Sequence, residues 1–131
     1  MDLTKQFIEM CEKAVEIQDS YRSRIPAADD IFVGKLYHGA VMFVQLSPTN
    51  ILVTNDYIWI PRQNQLQEMV FEKTAVSLAC RFKDFIARPL FDKNAPYKFT
   101  PEYSMEQLWL SFVMYTLYKK CWDSDKKEWV E

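Results

Sequence analysis

The stretch from Tyr103 to Tyr118 constrains this chain more than any other, because it opens like a helix and is then apolar on every side. Ser104 is placed to accept from the backbone N–H three residues on. Gln107 is placed to reach back to the N–H of Ser104, which completes a capping box, and Tyr103 and Leu108 occupy the two positions of a hydrophobic staple. At 100° per residue, Met105, Leu108 and Phe112 fall on one side and Leu110, Met114, Leu117 and Cys121 on the other. A helix without a wet face has to be covered all round. Its uninterrupted part is far shorter than the ~20 residues that cross a bilayer, so protein rather than membrane is expected to cover it. Should a monomer leave the Leu110, Met114, Leu117 and Cys121 stripe open, that stripe is the expected seam of a homodimer.

A chain of 131 residues is expected to form a single domain, 1–131, with a core of its own. Chains of ~150 residues bury about 68–70% of their unfolded surface. Nearly half of the residues are hydrophobic, which argues against disorder, and only two are glycine, which excludes Gly-rich phosphate loops. Cys11, Cys80 and Cys121 are odd in number and widely spaced, unlike a disulfide framework or a zinc motif. Each falls in or at the end of an apolar stripe, where a reduced thiol acts as a small hydrophobe. With an N-terminus unlike a signal peptide, this points to the cytoplasm.

The net charge of −2 hides an asymmetry: residues 62–100 carry seven basic and four acidic side chains, against five and eight in residues 1–61. An offset of that size can orient a partner. It falls short of the strongly basic patch usual for nucleic-acid binding.

Residues 2–22 read as one amphipathic helix with Leu3, Phe7, Met10, Cys11, Ala14, Ile17 and Tyr21 inward and Asp2 as cap. Residues 23–30 read as a connector. The period then changes. Residues 31–37 and 40–46 form a hairpin around His38-Gly39, residues 47–50 turn, and 51–54 complete a three-stranded antiparallel meander, extended by Tyr57–Ile60. Pro61 suits the first turn of the next helix, whose stripe is Leu66, Met69 and Val70. A new stripe, from Ala75 through Leu78, Ala79, Phe82, Phe85 and Ile86, implies a kink or a second helix near Lys73-Thr74, with Thr74 as its cap. Arg81, Asp84 and Arg88 lie on its wet side, and Arg88-Pro89 should end it. Residues 92–101 form an extended loop, and the tail should add a short strand to the sheet edge. The fold class is therefore α+β: a small antiparallel β-meander packed with an N-terminal helix and a largely buried C-terminal helix.

Residues that could carry chemistry are few. His38 is the sole histidine, which excludes two-histidine zinc motifs, and it sits in a predicted tight turn. Asp123-Ser124-Asp125 opens like a calcium loop, but Glu128 stands where such a loop needs glycine and the chain ends before its twelfth position. Asp29-Asp30 reads as loop solvation. No catalytic residue, metal site or cofactor is expected.

The run Trp59-Ile60-Pro61-Arg62-Gln63-Asn64-Gln65-Leu66-Gln67-Glu68-Met69 gathers amides and a guanidinium beside a strand-to-helix junction. These groups either present donors and acceptors to a partner or tie the junction together. Together with Glu106-Gln107-Leu108-Trp109-Leu110 and the Trp-Asp-rich turn 122–129, the run resembles a group of small uncharacterised proteins encoded in bacteriophages and prophages. The likeness spans about residues 50–130. That family commonly has aspartate where this chain has Asn64, so no acid role is implied there. The resemblance implies a genomic context and no activity.

The leading expectation is a non-catalytic accessory or interaction protein of phage or prophage origin with a protein partner. Its candidate binding residues are Arg62, Gln63, Gln65, Arg81 and Arg88. The alternatives are a weak nucleic-acid-associated protein using Arg62, Lys73, Arg81, Lys83 and Arg88, and, least supported, a small enzyme.

Overall fold

The computed structural model describes residues 2–21, 30–34, 57–70 and 72–131, and the backbone of 41–43. The elements expected at 23–29, 35–40 and 44–56, including the turns at His38-Gly39 and at 47–50 and the strand at 51–54, lie outside the described residues. The architecture is α+β. By its contacts the chain divides into two compact units, Leu3–Pro61 and Arg62–Glu131, with Asp2 belonging to the second.

In the first unit, helix α1 (Lys5–Lys13) is capped by Thr4, whose hydroxyl accepts from the Phe7 N–H at 3.3 Å. Asp2, the expected cap, instead accepts from the Ser104 hydroxyl. The helix expected over residues 2–22 breaks at Ala14, and α2 (Val15–Tyr21) follows. No glycine or proline marks the break, and tertiary hydrogen bonds hold it. The Gln18 amide donates to the Cys11 carbonyl at 3.0 Å and to the Trp59 carbonyl at 2.9 Å, while its oxygen accepts from the Trp59 N–H at 2.9 Å.

Trp59 lies in a three-stranded antiparallel sheet of β1 (Ile31–Gly34), β2 (Val41–Phe43) and β3 (Tyr57–Ile60). Among the described residues the order is β2-β1-β3: β1 and β2 pair antiparallel as the expected hairpin requires, and Tyr57–Ile60 lies on the other side of β1. β1 is central, with Ile31 opposite Phe43 on one side and Ile60 on the other. The piece expected merely to extend the sheet is thus a full partner of its central strand. Gln18 pairs with the outer edge of β3 as a short strand would, blunting an edge that otherwise invites association. Tyr21 lies against the cross-strand pair Phe32 and Trp59, at ring distances of 5.2 and 4.7 Å, and its hydroxyl donates to the buried Asp30 carboxylate at 2.8 Å.

The second unit opens with α3 (Gln63–Met69). Pro61 stands one residue before the cap position, Arg62, rather than in the first turn. The kink or junction expected near Lys73-Thr74 is a true break. Thr74 caps α4 (Ala75–Phe91), accepting from the Ser77 N–H at 3.0 Å.

Contrary to expectation, α4 runs through Pro89 to Phe91. Proline removes the N–H that would bond the carbonyl four residues back, here that of Phe85. The Tyr97 hydroxyl donates to that carbonyl instead, at 2.9 Å.

Helix α5 (Met105–Tyr118) carries the expected capping box, with the Gln107 N–H on the Ser104 hydroxyl at 3.1 Å and the Ser104 N–H on the Gln107 side chain at 3.0 Å. Trp109, Leu110, Phe112, Val113 and Met114 are all buried. The stripe that would have been a dimer seam is therefore covered, apart from Leu117. Lys119, at φ 57° and ψ 35°, ends α5, so Cys121 belongs to a strand and not to the helix. Among the described residues β4 (Cys121–Asp123) and β5 (Glu128–Val130) pair with each other as a separate two-stranded sheet, correcting the expectation that the tail joins the first sheet. The Asp123 carboxylate accepts from the N–H groups of Asp125 and Lys126 and so organises its own turn.

Candidate functional site

Helices α4 and α5 share an aromatic layer. Phe82 stacks on Trp109 at 3.9 Å, and Phe85 packs on Tyr97 at 4.2 Å, Phe112 at 5.3 Å and Tyr115 at 5.7 Å. Above this floor runs an open groove of about 360 Å³, lined by Arg81, Asp84, Phe85, Arg88, Tyr97, Phe112, Tyr115, Thr116 and Lys119. That volume lies within the ~300–1,000 Å³ of small-molecule sites.

Sequence spacing puts the first two cations there. Arg81 and Arg88 are seven residues apart on α4, and two helical turns bring them to the same side. Both arms are held over rings. The Arg81 guanidinium lies 5.9 Å from the Phe112 ring centre, and Arg88 lies 5.9 Å from that of Tyr97. Arg88 also donates to the Tyr115 hydroxyl at 3.3 Å, and this bond holds its ionisation above the ordinary value. Lys119 completes the set, its ammonium 5.7 Å from the Tyr115 ring centre.

The groove thus presents three cations and one carboxylate, Asp84. Two further acids hold the outer side of the arginines, Glu72 paired with Arg81 and Asp92 3.5 Å from Arg88. Exposed pairs of this kind contribute about 0–1 kcal/mol, so an incoming anion can replace them at small cost. Beneath, a slot of about 10 Å³ between Phe85, Tyr97, Tyr103, Ser111 and Cys121 has room for a single water and no more. Burial raises the Tyr97 and Tyr103 phenols and the Cys121 thiol, keeping all three protonated and neutral near pH 7.

Of the residues singled out from the sequence, Arg81 and Arg88 come together in this groove, whereas Arg62, Gln63 and Gln65 do not line it. Gln65 is buried and accepts from the Arg62 N–H at 2.9 Å, which ties the start of α3. Lys73 and Lys83 are exposed and also outside the groove lining. Sequence reasoning missed Lys119, Tyr97 and Tyr115. Tyr115 and Thr116 lie three and four residues after Phe112, a helical spacing that marks one face of α5, but nothing local pairs that face with α4.

Among the described residues no group of three His, Cys, Asp or Glu side chains is placed to hold a metal ion, and no helix is long and apolar enough to cross a membrane. Comparisons with protein-family models, with curated proteins and with solved structures give no match to this chain.

Proposed function

We propose that this is a non-catalytic interaction protein, of phage or prophage origin, that grips an acidic segment of a protein partner in the groove between α4 and α5. The observation that carries the reading is the convergence of Arg81, Arg88 and Lys119 over one fixed aromatic floor. Arginine presents a planar fork that matches a carboxylate with two parallel hydrogen bonds. Both forks are pre-positioned on rings, which lowers the ordering cost of binding. The likeness of the 59–69 and 106–110 runs to phage and prophage proteins supports the origin. Cys11, Cys80 and Cys121 are not in disulfides, which fits a reducing cytoplasm.

Single-stranded nucleic acid would use the same cations with bases stacked on exposed rings. Tyr97, however, is buried, stacked on Phe85 and packed against Phe99 and Tyr115, so it offers no open face to a base, and the acidic protein segment is favoured. Calorimetric titration with a glutamate- and aspartate-rich peptide, and in parallel with oligothymidylate, tests the choice. Saturable binding of the peptide that disappears in Arg81→Ala/Arg88→Ala supports the reading. Binding of the oligonucleotide alone replaces it with the nucleic-acid reading, and binding of neither overturns both.

A further inference from the structure

The two arginines of the groove leave the same side of α4 seven residues apart, a separation of about 10.5 Å along the helix axis. Each is anchored at its tip, Arg81 over the Phe112 ring and Arg88 over Tyr97 with a hydrogen bond to the Tyr115 hydroxyl. Between them stands Asp84, three residues after Arg81 and four before Arg88, the spacing at which opposite charges on one helix ordinarily pair. They do not pair here. Arg81 turns to Glu72 and Arg88 to Asp92, while Asp84, exposed and the one carboxylate of the groove lining, makes no ion pair among the described residues. The α4 wall of the groove therefore presents cation, anion and cation in succession on one face.

We infer that the occupant of the groove is a helix of the partner protein laid along α4, with carboxylates seven residues apart and a lysine or arginine between them. This rests on the reading that the groove holds an acidic protein segment, and it specifies the form of that segment. An extended strand turns alternate side chains to opposite sides and rises about 3.3 Å per residue, so its same-side positions recur at about 6.6 and 13.2 Å and miss the arginine spacing. A helix meets it, because its residues seven apart lie on one face at the same separation as Arg81 and Arg88. The position between the carboxylates has to carry a cation. A helix lying there takes Asp84 out of water, which is costly for a charge left without a partner. The register follows from the spacing on α4. In a helix parallel to α4 the cation falls three residues after the first carboxylate, and in an antiparallel one it falls four after. Both patterns set opposite charges across all three contacts, whereas a uniformly acidic helix sets a carboxylate against Asp84.

Calorimetric titration of the full chain with designed peptides tests this. The matched peptides are alanine- and glutamine-based, about 20 residues long so that they form helix in isolation, and carry Glu-x-x-Lys-x-x-x-Glu or Glu-x-x-x-Lys-x-x-Glu. One comparison peptide has the same composition with its glutamates five residues apart, on different sides of the helix. The other has the matched pattern with a central alanine replaced by proline, which breaks the helix. One of the two matched peptides should bind about tenfold more tightly than either comparison peptide. The wild type should prefer that peptide to its version with glutamate in place of the lysine, and Asp84→Lys should reverse the preference. Equal binding of the matched, offset and proline-bearing peptides overturns the helical occupant and leaves the acidic-segment reading standing. So does binding of the unstructured glutamate- and aspartate-rich peptide alone. A preference that Asp84→Lys does not change overturns the cation placed against Asp84, and the proposal with it. Failure of every acidic peptide, helical or not, removes the acidic-segment reading and this inference together.

Discussion

Pro89 takes one donor out of α4, and Tyr97, eight residues later, puts one back on the stranded Phe85 carbonyl. The exchange explains how a proline sits inside a helix that its neighbours in sequence say should stop, and it carries two predictions. Tyr97→Phe keeps the ring packing and deletes only the donor, so it should cost about 1–3 kcal/mol, the penalty for a buried polar group left without its partner. In a Pro89→Ala background the restored N–H satisfies Phe85 by itself, and the same substitution should cost markedly less. Chemical denaturation of the four proteins in this cycle measures the difference, and equal costs in both backgrounds would show that the hydroxyl is not replacing the proline's missing donor. The second prediction concerns pH. Burial raises the Tyr97 phenol above its ordinary value of 10.0, and the hydroxyl donates only while protonated. Its stabilisation is therefore complete below pH 10 and is lost as pH climbs through the raised folded-state value. Tyr103 and Cys121 are raised by burial as well and act in the same direction. The loss of stability at alkaline pH should consequently be shallower, but not absent, in Tyr97→Phe.

At the level of elements, what was legible in the sequence is what is decided within one turn of chain. The Ser104 capping box and the Thr74 cap are contacts between residues three apart, and both stand where the residue types placed them. The burial of Trp109, Leu110, Phe112, Val113 and Met114 on successive faces of α5 follows from the run's apolar character, although Met105 and Leu117 remain exposed, so the helix is not covered all round as expected. Thr74→Ala should lower stability by about 1 kcal/mol through loss of its cap, and Phe112→Ala by about 3–5 kcal/mol through the cavity left beside Phe82, Phe85 and Trp109. Thermal denaturation distinguishes the two by size, and a Phe112→Ala loss no larger than the cap's would mean the aromatic layer is not the core of this unit. What was not legible depends on partners far along the chain. The break at Ala14 is held by Gln18 reaching a strand forty-one residues on. Likewise, Tyr57–Ile60 pairs with β1 across a long span, and local alternation in the sequence does not reveal which strand it joins.

For the molecule as a whole, half of the candidate site could be read from one helix. The seven-residue spacing of Arg81 and Arg88 puts them on one side of α4, and the basic excess of residues 62–100 pointed to the same stretch. Lys119 and Tyr115 could not be added, because their place depends on α5 packing beside α4 and on the left-handed turn that stops α5 at Lys119. The charge of the whole chain then sets how the groove should behave. A net charge of −2 repels an acidic partner at long range, so attraction must come from the three groove cations within about one Debye length, ~8 Å at physiological ionic strength. Affinity for an acidic peptide should accordingly fall only modestly with salt, in proportion to the few ion pairs formed. A single-stranded nucleic acid would show a logarithmic slope of about −0.7 per phosphate neutralised. Arg81→Glu/Arg88→Glu reverses two of the three cations on an exposed surface. It should abolish peptide binding while leaving the melting temperature close to that of the wild type, since surface substitutions usually stay within about 0.5 kcal/mol. Titration of both proteins across a salt series, with the melting temperature recorded alongside, checks both statements. Binding that survives the double reversal, or that vanishes only because the protein unfolds, would place the recognition surface somewhere other than between α4 and α5.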